Sequence, residues 1–130
     1  MPLSPEIQKA IFETLQVALK KCCPPMVVSK NKKGVFEIIG NQPVPYGSKK
    51  VVVPGMFFSC VFARKEMVSL HLMPIYYREK EFEPLIPTMI KYLKGKACFN
   101  FKRPEQVNQK ELNAILKKGI ELWKKSGYMK

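Results

Sequence analysis

FFSCVFARKEMVSLHLM (57–73) is the stretch on which the fold turns. Two apolar arms, Phe57–Ala63 and 68–73, flank a charged tip, Arg64-Lys65-Glu66. Successive side chains of a strand point to opposite faces, so each arm divides in two. In the first arm Phe58, Cys60 and Phe62 share one side, and Phe57, Ser59 and Val61 share the other. In the second, Val68, Leu70 and Leu72 alternate with Ser69, His71 and Met73. This pattern predicts an antiparallel hairpin with one strongly apolar side, which other elements must cover.

Toward the N-terminus the period of two continues. Residues 26–29 and Val35–Ile39 are short apolar runs around a turn, Asn31-Lys32-Lys33-Gly34. Gly40, Pro43, Pro45 and Gly47 predict a loop over 40–50, and Val51–Val53 reads as a short strand before Pro54 and Gly55. Residues 4–22 read as an amphipathic helix. Ser4 is a good cap, Pro5 suits the first helical position, and Ile7, Ile11, Leu15, Leu19 and Cys22 form one apolar stripe. Pro24 and Pro25 stop it.

Toward the C-terminus a short helix is expected across 84–93, with Gly95 as its stop, and then a strand across 97–102. The last helix starts at Asn108, with Glu111 three residues on in a capping-box pattern, and it ends at Gly127. Its apolar face is Leu112, Ile115, Leu116, Gly119, Leu122 and Trp123. The expected fold is therefore α+β: a two-layer sandwich with a largely antiparallel sheet packed against N- and C-terminal helices, one domain over 1–130.

Composition excludes more than it assigns. The chain has 130 residues and a formal net charge of +13, from 23 basic and 10 acidic residues. All ten acids are Glu, which removes Asp-based catalysis and Asp-rich calcium loops. A single His, His71, excludes a metal centre built on several imidazoles, and Cys22, Cys23, Cys60 and Cys98 form no CxxC. No cofactor is expected. Four cysteines without a disulfide pattern, no apolar stretch of spanning length and no signal-peptide layout give a cytoplasmic expectation with no membrane. The basic residues are spread evenly, as pairs at 20–21, 32–33, 49–50, 117–118 and 124–125, and only three are Arg. That distribution allows non-specific nucleic-acid binding or an acidic partner but marks no stripe for either.

VSLHLMPIY (68–76), GKACFNF (95–101) and the final amphipathic helix resemble the YdhG-like family of bacterial domains of unknown function. The likeness covers about 57–125 and extends more weakly to the N-terminal helix and to the Pro-Tyr-Gly at 45–47 around Tyr46. The resemblance implies a frataxin-like arrangement, and some relatives have been connected with iron delivery. Such iron binding uses a ridge of carboxylates on the first helix and edge strand. Here residues 14–65 hold one acid, Glu37, against eight Lys and one Arg, which disfavours an iron chaperone.

The expected function is a non-enzymatic binding domain, with a small-molecule ligand or an acidic partner unidentified by sequence, acting as a monomer or weak dimer. If a site exists, the sheet face around His71, Ser69, Tyr76 and Asn100, with Tyr46 from the Pro-rich loop, is where to look. His71 could pair with Ser69 or Cys98 as base and nucleophile, but no Asp orients the ring and no GxSxG elbow occurs. The alternating Glu79, Glu81 and Glu83 read as a solvated loop and not as paired catalytic carboxylates. A ligand through His71 requires a concave, partly apolar cavity containing that side chain.

Overall fold

A computed structural model describes residues 3–46, 51–95 and 97–129. The chain runs α1 (Pro5–Lys20), β1 (Val27–Lys32), β2 (Val35–Ile39), β3 (Val44–Tyr46), β4 (Val51–Val53), β5 (Phe57–Ala63), β6 (Val68–Leu72), α2 (Met73–Tyr77), α3 (Glu79–Phe82), β7 (Leu93–Lys94), β8 (Cys98–Phe101) and α4 (Gln109–Lys125). Six strands form one sheet in the order β1-β2-β5-β6-β8-β7, with every pairing antiparallel. The α+β class and the terminal helices are as the sequence predicts. The helices start where expected for local reasons: the Ser4 hydroxyl accepts from the Ile7 N–H, and Asn108 Oδ1 accepts from the Glu111 N–H.

The helix-side face of the sheet is the core. Phe36, Val61, Leu70 and Phe99 are register neighbours across β2, β5, β6 and β8, and none is exposed to solvent. α1 packs on β5 and β6, and α2 packs on β5 and α4. Ile11, Leu15 and Leu19 of α1 and Leu112, Ile115 and Trp123 of α4 are all fully buried. Burying side chains of this size contributes roughly 1.5–3 kcal/mol each before conformational entropy is counted.

Four expectations are corrected. First, β5 does not alternate strictly. Ile38 faces Ser59 but Ile39 faces Phe57, so Phe58 is an extra residue in the ladder. Phe58 turns inward, with its ring 5.6 Å from that of Trp123, and Phe57 turns to the other face beside His71. Second, the expected loop over 40–50 contains β3, which pairs with β4 as a separate two-stranded ribbon; residues 47–50 lie outside the described residues. Third, no regular helix covers 84–93. Pro84 and Pro87 break it into 3-10 turns at Glu83–Leu85 and Met89–Tyr92, and the helical residues come earlier, in α2 and α3. The acidic run is therefore helical at Glu79–Phe82, anchored by fully buried Phe82, with Glu81 on the solvent side between Arg78 and Lys118. Fourth, only half of the capping box forms. The Glu111 carboxylate leaves its own helix to accept from the Thr88 N–H, the Thr88 hydroxyl and the Met89 N–H.

Candidate functional site

The sheet face opposite the helices carries the residues singled out by sequence. Antiparallel register builds a row across all six strands: Lys30, Glu37, Cys60, His71, Cys98 and Lys94. The adjacent row on the same face is Lys32, Val35, Phe62, Ser69 and Asn100. The period of two thus brings His71, Ser69 and Asn100 together from β6 and β8. Tyr76 belongs instead to α2, 53% exposed and in edge contact with Tyr77. The Tyr46 backbone pairs with Val51 at the end of β3; its side chain lies outside the described residues.

Within the rows the polar groups serve one another. The Ser69 hydroxyl donates to Asn100 Oδ1 at 2.7 Å, so it is not aimed at His71. His71 Nδ1 lies 3.4 Å from Cys98 Sγ, and its ring meets Phe57 edge-on at 5.3 Å between centroids. His71 Nε2 is buried with no hydrogen-bond partner among the described residues. Burial lowers the His71 pKa from its ordinary value. Burial raises that of Cys98, against a smaller opposing effect of Arg64. Burial, with Glu37 nearby, pushes the Cys60 thiol up to about 11. The pair is therefore a neutral imidazole beside a protonated thiol, opposite in sense to an activated thiolate–imidazolium nucleophile. Cys60 and Cys98 stand two strands apart across β6, roughly 10 Å by sheet spacing, too far to join as a disulfide. Among the described residues no three His, Cys, Asp or Glu side chains are grouped to hold a metal ion.

Next to this row is a groove of about 390 Å³. It is lined by apolar Ile39, Val53 and Phe57, by Pro54 and Gly55, and by polar Ser29 and Glu37. The Ser29 hydroxyl donates to Glu37 Oε2 at 2.7 Å. His71 does not line the groove; Phe57 stands between them. This corrects the site expectation: the concave feature of this face begins one side chain beyond His71. Sequence reading missed it because the groove depends on the bulge that turns Phe57 outward and on a loop crossing from β4. The Pro54-Gly55 turn and the paired Phe57-Phe58 are the only signals it leaves in the chain.

The helix layer has its own cleft, of about 380 Å³, between α1 and α4. Lys21, Lys117, Lys124 and Glu121 line it together with apolar Ala18, Leu116 and Ile120. Lys49 and Lys50 lie outside the described residues. No helix among the described residues is long and apolar enough to cross a membrane. Comparison of the chain with protein-family models, with curated proteins and with solved structures finds no match.

Proposed function

We propose that this is a non-enzymatic binding domain of the cytoplasm, YdhG-like in type and frataxin-like in arrangement, and that it binds through the open face of its sheet. The observation that carries the reading is the groove lined by Ile39, Val53 and Phe57 together with Glu37 and Ser29. A partly apolar concavity of a few hundred Å³ with a few convergent polar groups is the usual form of a ligand site. The neutral thiols and imidazole beside it support binding over nucleophilic chemistry. Four unpaired cysteines suit a reducing compartment.

The groove calls for a ligand group with an apolar body and a hydrogen-bond-donating end for Glu37. Benzamidine has both and is a suitable probe. Titrated into labelled protein, it should give saturable amide shifts at Ser29, Gly55 and Phe57, weakened in Glu37→Gln and in Phe57→Leu. Shifts that centre on the α1–α4 cleft, or none that saturate, would defeat the proposal.

A further inference from the structure

We infer that the natural occupant of this face is a polypeptide: an extended acidic segment of a partner protein that adds to β1 as a further strand and lodges one apolar side chain in the groove. The inference rests on the reading of the groove as a binding site and names the partner that would use it.

Among the described residues β1 is an edge strand whose one neighbour in the sheet is β2. All six of its residues are exposed. The backbone N–H and C=O groups on its outer side face away from the sheet, which makes such an edge a template for another strand. The opposite edge, β7, has only two residues. A bulge between Val28 and Lys30 puts Ser29 at the groove, leaving Lys30 to Lys32 as the regular part of the edge. An added strand would therefore run beside the lysines and reach the groove within a few residues, its alternate side chains entering it.

Charge selects the partner. Lys30 and Lys32 project on the same face of this edge. Arg64 belongs to the same region, with its guanidinium 4.9 Å over the Phe62 ring. Glu37 is the acid within these two rows; it faces Lys30 in register and accepts from Ser29. A second copy of β1 would set lysine beside lysine, and like charges across strands are destabilising. An acidic strand sets Glu or Asp there instead. Single-stranded nucleic acid fits less well, because its bases need aromatic faces to stack on. Phe62 already carries Arg64, and Phe57 is packed on His71.

The test uses a fluorescein-labelled peptide of alternating Glu and Val with one central Phe, followed by anisotropy on the full chain. Binding is expected to weaken as salt rises, and to weaken about tenfold in Lys30→Glu/Lys32→Glu. The neutral pair Lys30→Gln/Lys32→Gln gives a smaller loss in the same direction, should the reversed charges perturb the fold. The same peptide methylated on alternate backbone nitrogens keeps its charge but cannot pair, and it should lose at least tenfold. Equal binding of the methylated peptide overturns strand addition. So does oligothymidylate binding more tightly than the peptide, or association of the protein with itself in place of the peptide. Benzamidine, read in parallel, separates the two claims: groove shifts without peptide binding sink this inference alone, whereas loss of both removes the groove site as well.

Discussion

Glu111 is 7% exposed, yet the chain keeps a carboxylate there. Burial by itself raises its pKa, but the hydrogen bonds from the Thr88 hydroxyl and from the Met89 and Thr88 N–H groups outweigh burial and hold it below the ordinary 4.5. Three donors at the start of a broken 3-10 segment are thereby satisfied from another helix. A carboxylate with a depressed pKa in the folded state stabilises the fold above about pH 4.5 and loses that contribution as pH falls through its folded value. Glu111→Gln should cost roughly 1–3 kcal/mol at neutral pH and flatten the acid limb of the stability curve. Chemical denaturation from pH 7 down to pH 3 checks it; an unchanged acid slope in the variant would refute the assignment.

His71 shows the same reasoning with opposite charge. Its lowered pKa means that folding favours the neutral ring, so its contribution is present above the ordinary 6.5 and is lost as pH falls from there through the folded value. As the sole His it gives one isolated ring resonance. That resonance should titrate with a midpoint below 6.5. A midpoint at or above the ordinary value would mean that the ring is paired with a thiolate or carboxylate, and the non-enzymatic reading would fall with it.

At the scale of elements, α4 is fixed to the sheet through a glycine. A Cβ at Gly119 would stand 2.9 Å from Phe58 Cε1 and 3.0 Å from Pro74 Cγ. In a free helix Gly→Ala gains about 1 kcal/mol, but overpacking a closed core costs about 1–3 kcal/mol. Neither the Phe58 ring nor the proline can swing aside, since Phe58 is fully buried. Gly119→Ala should therefore destabilise, and Phe58→Leu should relieve part of that loss. A double-mutant cycle with no positive coupling would refute the contact.

The same region marks what sequence can and cannot reveal. α1 and α4 were legible because Ser4, Pro5 and Asn108 are local signals and their apolar stripes repeat over several turns. His71, Ser69 and Asn100 fell on one face because alternation along β6 and β8 is unbroken. Phe57 and Phe58 exchanged places because a bulge is set by the partner strand, which two adjacent identical side chains do not announce. The segment 84–93 misled because its apolar spacing suits a helix while its prolines do not. The donors it leaves open are met by Glu111, a contact 22–23 residues distant along the chain. The groove was illegible for the same cause: four separate strands and a turn make it.

For the whole molecule the governing quantity is charge. The chain carries +13, and ion pairs among the described residues, such as Lys9–Glu13, Arg78–Glu81 and Lys118–Glu81, span 3.4–3.8 Å between side chains that are well exposed. Exposed pairs of this kind contribute about 0–1 kcal/mol and do not offset repulsion among 23 basic groups. Screening should therefore stabilise the fold. Raising sodium chloride from about 0.01 M to about 0.15 M shortens the Debye length from roughly 30 Å to roughly 8 Å, which removes repulsion between lysines on different elements. At about 4 °C per kcal/mol for a domain of this size, the midpoint should climb by several degrees. Chloride is used because sulfate would strengthen apolar burial independently of charge. Lys33→Glu/Lys110→Glu, at two exposed positions, supplies the internal control, since two reversals take the net charge from +13 to +9. Its melting point at low salt should exceed that of the parent, and the gap should narrow as salt rises. A parent whose midpoint is flat or falls with chloride would mean that local pairs, not the summed field, set the electrostatics of this fold. In that case its lysines could no longer be treated as a uniform background against which the β1 edge competes for an acidic strand.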